Sequence, residues 1–255
     1  MMRPISFITL LAFLVPVAGH SQNPVSTAFE RLEWPASERV SEGLAWSVFS
    51  QQYFLASNWN ASGLSVSRVL GTGISAAMFC RDGIAGYAWY HLYLSHYHRF
   101  KGFGAMIQLR FSIIDLIEHP AVFRLGGTIQ IDWSIAERLC LQSTVHDFPG
   151  WLLPVPRLTS GNPHMQFLLF HEPGRLIGLT TGFRISRNQF GPVVSGIRVN
   201  WGDQIGLTGL LGVLPFGISL GITWRPEFLW FRGWFREVNG LGITPMIELG
   251  GGTVQ

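Results

Sequence analysis

The chain has 255 residues, 47% of them hydrophobic and only 13% charged, with a net charge of +3. Soluble domains run near a quarter charged, so this composition, with a mean hydropathy of +0.27, leaves two classes. One is a protein with a very large core, and the other is a membrane barrel with apolar residues at alternate positions. No run of about 18 uncharged apolar residues follows residue 20, which excludes a spanning helix there, and the scattered Lys and Arg exclude a nucleic-acid binder.

Residues 1–21 read as a secretory signal peptide. Arg3 precedes an apolar stretch from Ile5 to Val17, and small residues follow, with cleavage expected after Gly19 or Ser21. No cysteine stands at that point, so a lipoprotein is not expected. Residues 22–62 hold most of the local acidic charge. Helix-like spacing at Leu44, Val48 and Phe49, after Ser41 and Glu42, predicts a partly helical cap or plug.

From 63 to 250 the sequence alternates with period two, the mark of a β-strand. In 102–113, Phe103, Ala105, Ile107, Leu109, Phe111 and Ile113 oppose Gly104, Met106, Gln108, Arg110 and Ser112. In 121–133, Phe123, Leu125, Ile129, Ile131 and Trp133 oppose Arg124, Thr128, Gln130 and Asp132. Further on, Arg184, then Arg198 and Asn200, then Glu248 occupy the polar phase of successive stretches. Short reversals carry Pro, Gly, Asn or Asp, as in 171–175, 200–204 and 237–240. Residues 146–163 break the pattern and read as a long loop.

The polar phase carries Gly, Ser, Thr and isolated Arg rather than the Lys and Glu of a solvated face. Trp133, Trp201 and Trp224 end apolar phases, where a membrane-interface girdle would lie. The expected fold is therefore all-β: a transmembrane antiparallel barrel of about twelve strands, within a range of roughly ten to fourteen. A secreted soluble β-sandwich is the alternative. Gln108, Arg110, Arg124, Gln130, Asp132, Arg184, Arg198, Asn200 and Glu248 are the expected lumen-facing polar residues. The arginines are expected to form a ladder with Asp132, Glu137 and Glu248, or to line an anion-selective pore. Cys80 and Cys140 are expected to be small apolar wall residues, a disulfide being the alternative.

The segment Asn60, Ala61, Ser62, Gly63, Leu64, together with HRFKGFGAMIQLRF (98–111) and the closing GITPMIEL (242–249), resembles a known group. These are the Bacteroidetes-type outer-membrane barrels related to the type IX secretion barrel PorV and, more distantly, to FadL-like transporters. Asn60, Gly63 and Leu64 stand at the group's motif before the first barrel strands, without its proline. The chain also lacks the usual terminal aromatic residue. The resemblance implies an outer-membrane location and a role in transport, lipid handling or secretion. The implied partners are outer-membrane lipid and either a hydrophobic small molecule or secretion-system proteins.

His91, Ser95, His96 and His98 form the densest polar cluster. A lipid-modifying enzyme would use a histidine as base for Ser95. In a strand, however, Ser95 and His96 point to opposite faces, so a wet hairpin rim is the expected reading. No metal site and no cofactor are expected, since only His96 and His98 share a face. A structural barrel with a packed lumen is the third alternative.

Overall fold

The computed structural model describes residues 43–252 except 54–57, 85–86, 117–118, 149–163, 175, 187–188, 203, 214–215, 227–228 and 239–241. The expected signal peptide, residues 22–42 of the expected cap and most of the expected long loop lie outside the described residues. Fourteen strands follow one another: β1 (Gly43–Gln52), β2 (Trp59–Leu70), β3 (Gly73–Ile84), β4 (Tyr87–Phe100), β5 (Phe103–Leu116), β6 (His119–Ala136), β7 (Leu139–His146), β8 (His164–His171), β9 (Ile177–Ser186), β10 (Gln189–Trp201), β11 (Ile205–Val213), β12 (Phe216–Trp224), β13 (Leu229–Val238) and β14 (Gly242–Gly252). Each pairs antiparallel with its sequence neighbour. β1 pairs with β14, in a register that sets Val48 opposite Leu249, and closes the barrel.

Two expectations are corrected. The strand number is fourteen rather than about twelve. The partly helical cap expected over 22–62 is, in its described part, barrel wall. β1 and the start of β2 occupy it, and Asn60, Gly63 and Leu64 are β2 residues. The misleading spacing has a simple cause: Leu44 and Val48 are four apart, a separation that fits period two as well as a helix. Along β1, Leu44, Trp46 and Val48 are exposed, whereas Ser47, Phe49 and Gln51 are buried.

This contrast of faces runs round the barrel. On β5, Phe103, Ile107, Phe111 and Ile113 are exposed, while Met106, Gln108, Arg110 and Ser112 are buried. On β12 and β14, Ile218, Leu220, Ile222, Ile243, Ile247 and Leu249 are exposed, while Ser219, Thr244 and Glu248 are buried. A continuous apolar outer wall has no favourable contact with water. Closure leaves no unpaired strand edge, so the ladders bond within the wall, as lipid requires, apart from irregularities such as that between Phe190 and Val193. Apolar outside and polar inside is the pattern of a membrane barrel, the inverse of a soluble sandwich.

An even strand number places the first and last strands at one rim. The joints there are short: 71–72, 101–102, 137–138, 172–176, 202–204 and 225–228. Gly71 (φ +52°) and Gly102 (φ +70°) take the left-handed backbone that two-residue turns demand. Arg99 N donates to Thr72 O at 2.9 Å, tying the first two of these turns together. Trp201 and Trp224 end strands at this same rim, Trp133 stands three residues before the end of β6 there, and Trp201 is 71% exposed on the outer wall. Trp46, Phe100 and Phe103 lie near the same rim, so among the described residues the exposed tryptophans gather at one rim.

Inside, several glycines sit beneath large rings. Phe49 packs over Gly63, Tyr97 over Gly104, Trp234 over Gly221 and Trp230 over Gly250. Three of these pairs are directly opposed across a strand pair. A ring lying flat on the inner wall needs a neighbour without a side chain, and the ring in turn shields the bare backbone.

Candidate functional site: the barrel lumen

The inner face has two unlike halves. On the β1–β5 side a cluster of Phe49, Tyr53, Ala61, Met78, Cys80, Tyr93, Tyr97 and Met106 is buried, with Trp59, Ile74 and Ala76 packed against it. From β9 to β12 many inward positions are small, Gly178, Thr180 and Gly182 on β9, Gly196 on β10, Gly206 and Thr208 on β11, and Gly221 and Thr223 on β12, with Arg184, Arg198 and Asn200 set among them. An arc in which aromatic and methionine side chains are interleaved with buried Ser47, Gln51, Gln108 and Arg110 therefore faces one rich in glycine and threonine.

Charges are set into this frame in pairs. Arg232 on β13 lies opposite Glu248 on β14. Arg232 Nη1 meets Glu248 Oε2 at 3.4 Å, with the Glu248 side chain 1% exposed. Arg232 Nε donates to Thr223 Oγ1 at 3.4 Å, and its guanidinium carbon lies 5.4 Å from the Trp230 ring centroid. Arg110 on β5 makes the second pair: its Nη2 donates to Asp147 Oδ1 at 2.6 Å. Asp147 follows β7 in left-handed backbone (φ 51°), which lets its carboxylate turn into the lumen. Gly126 gives both groups room, since a Cβ there would lie 2.8 Å from Arg110 Nε and 2.9 Å from Asp147 Oδ1. Burial pushes the Asp147 carboxyl up to about 6, although Arg110 pulls the other way.

Asp132 is held by amides. Gln130 Nε2 donates to its Oδ1 at 3.0 Å and Gln142 Nε2 at 3.1 Å. Gln108 is buried on the same inner face. Arg198 Nε donates to Asn200 Oδ1 at 2.9 Å. Arg124 is half-buried, and its Nε has no hydrogen-bond partner among the described residues. Arg184 has no carboxylate partner among the described residues, and Arg236 of β13 acts on it electrostatically. His146 and His164 stack with centroids 4.4 Å apart and, with Gln108, Arg110, Thr128 and Asp147, line a small pocket.

The expected arginine ladder is thus only partly formed. Glu248 meets an arginine, Asp132 meets glutamines instead, and Glu137 is exposed in the β6–β7 turn. Arg232 and Asp147, the two partners that make the ion pairs, were not among the expected site residues. Asp147 lies in the segment taken as loop. Arg232 lies on a strand, LWFRGWFREV, with large aromatics in both phases, so its polar phase is hidden.

The expected cluster around Ser95 divides between the two faces of the wall. Ser95 is buried and its Oγ donates to Ala76 O at 3.2 Å. His91 also faces inward, its Nδ1 2.8 Å from Ser112 Oγ and its Nε2 3.5 Å from Asp82 Oδ2. His96 is exposed on the outer face, with its Nδ1 2.9 Å from Ser75 Oγ. Ser95 and His96 are therefore not paired, and the serine that His91 meets is Ser112. Cys80 and Cys140 are buried free thiols on the inner face of β3 and β7.

The sequence matches no family model and no curated protein. Among solved structures it is similar to the CymD monoaromatic hydrocarbon channel, with a TM-score of 0.55 and 8% identity, over 84% of this chain and 88% of that one. It is also similar to a triple mutant of the Rhodopseudomonas blastica porin, with a TM-score of 0.44 and 7% identity, over 83% of this chain and 99% of that one. The porin likeness carries no weight at that score. The hydrocarbon channel's likeness concerns the fold alone, an antiparallel closed barrel. Kinship with the PorV- and FadL-related group does not follow from it.

Proposed function

We propose that this protein is an outer-membrane channel that admits a small hydrophobic molecule. The observation that carries the reading is the inward cluster of Phe49, Tyr53, Met78, Tyr93, Tyr97 and Met106, set among polar side chains, inside a barrel whose outer wall is already apolar. A water-filled pore has polar walls all round. Methionine and aromatic side chains offer a soft, adaptable surface to an apolar guest. The facing β9–β12 positions are rich in Gly and Thr. The similar barrel described as a monoaromatic hydrocarbon channel supports this by analogy of fold.

The test is a titration of the folded protein in detergent with 1-phenylnaphthylamine, whose fluorescence rises in apolar surroundings. Saturable binding is expected, and it should weaken when Met78→Asp introduces a charge into the arc. A linear, unsaturable rise equal to that of an unrelated barrel would contradict the proposal.

A further inference from the structure

Near the rim that holds 71–72, the outer wall carries a polar row that the lumen reading does not use. Arg68 on β2, Ser75 on β3 and His96 on β4 lie directly opposite one another. All three are exposed on the lipid-facing side. The row begins at Leu44 and continues into Ile107 and Ile129, so its flanks are apolar. Ser75 Oγ fixes the His96 ring through Nδ1 at 2.9 Å, leaving Nε2 to point elsewhere. His98, two residues nearer the rim, stacks with His96 at 6.3 Å, and its Nε2 lies 3.4 Å from Thr72 Oγ1.

The position of the row suggests what it meets. Arg68 pairs with Leu44, one outward step beyond Trp46 toward the rim of short turns. His96 lies four residues, about 13 Å along the strand, from Phe100 at that rim. Arg68 thus lies at the depth of the tryptophan girdle and of lipid head groups, with His98 and His96 successively deeper along β4. A guanidinium on a lipid-facing wall requires a counter-charge. The outward faces of β2, β3 and β4 hold no acidic residue, and Arg68 has no ion pair among the described residues. Outward charges of the other wall strands, such as Asp115 and Glu237, lie at the opposite rim. The longest joint, 147–163, lies at the opposite rim, and the longer loops of a bacterial barrel are extracellular, so this rim is the periplasmic one, where the leaflet is phospholipid.

We propose that Arg68, His96 and His98 bind the phosphate of an anionic phospholipid in the leaflet at the short-turn rim. This rests on the reading of the chain as a membrane barrel. The test offers the folded full-length protein equimolar dioleoyl phosphatidylglycerol and dioleoyl phosphatidylcholine in mixed micelles, and counts retained lipid by native mass spectrometry. The unaltered protein should retain phosphatidylglycerol about fivefold over phosphatidylcholine, the effect of one basic side chain at a charged surface. The preference should vanish in Arg68→Ala/His96→Ala and persist in Arg68→Lys. Equal retention by the unaltered protein, or a preference unchanged in the double variant, overturns the proposal. So does loss of a dimer rather than of lipid in that variant, which would make the patch a contact between copies. Removing charge from a lipid-facing wall leaves the barrel able to fold, and retained gel mobility without boiling checks that it has. Absence of that mobility in the unaltered protein would instead defeat the membrane-barrel reading beneath the proposal.

Discussion

Arg232 and Glu248 are the most deeply buried ion pair described in the lumen, with side chains 5% and 1% exposed. Removing one partner strands the other charge among Trp230, Phe49 and the strand backbones. Arg232→Met or Glu248→Gln alone is expected to lower unfolding stability in urea by about 3–5 kcal/mol. Removing both, as Arg232→Met/Glu248→Leu, should recover most of that loss, because a buried pair balances a large desolvation penalty. Equal losses in the single and double variants would show that the pair is not coupled. Asp147 gives a pH signature. Its folded-state pKa, about 6, lies above the ordinary carboxyl value of 3.8. The folded state therefore holds its proton more tightly, so this group's contribution is fully present below about 3.8 and is lost as pH rises through about 6. Asp147→Asn should remove that part of the pH dependence when urea unfolding is followed from pH 4 to 7. At this scale the sequence was informative about direction and poor about partners. Alternation placed Arg110, Gln130, Asp132 and Glu248 on the inner face. The partners Asp147, Gln142 and Arg232 come from other strands, and register between strands is not written in any one of them.

At the scale of the element, aromatic rings over glycines knit neighbouring strands. A Cβ at Gly221 would lie 2.7 Å from the Trp234 indole, so Gly221→Ala should cost about 1–3 kcal/mol by overpacking. The same change in a Trp234→Ala background should cost much less, and a double-mutant cycle reads the difference. If the cost is the same in both backgrounds, the ring does not depend on the glycine. Strands such as β5, β6 and β12 were legible because a Gly-rich polar phase faces a purely aliphatic one. β13 was not, since Trp230 and Trp234 face inward while Leu229, Phe231 and Phe235 face outward. Hydropathy cannot separate a tryptophan that fills a lumen from a phenylalanine that meets lipid. β1 was misread because Leu44, Val48 and Phe49 satisfy a helical spacing by chance, and hiding that strand accounts for part of the low count.

For the whole molecule, one property organises the rest: closure of fourteen antiparallel strands with the apolar phase outward. It gives Arg110, Arg232 and Glu248 a sheltered interior and makes the outward position of Arg68 and His96 unusual. It also brings Trp133, Trp201 and Trp224 to a single rim. Low charge, abundant glycine and period-two alternation announced this architecture in the sequence, whereas the division of the lumen into an arc rich in aromatics and methionine and one rich in glycine emerges only when strands far apart in sequence face one another. The most direct test is heat-modifiability. Membrane-fraction protein extracted in mild detergent is run on SDS gels with and without boiling, with circular dichroism alongside. A closed membrane barrel predicts a faster unboiled band and a β-rich spectrum that collapses on boiling. A single gel position, from a protein soluble without detergent, would mean that the apolar faces are buried against each other and would contradict the account.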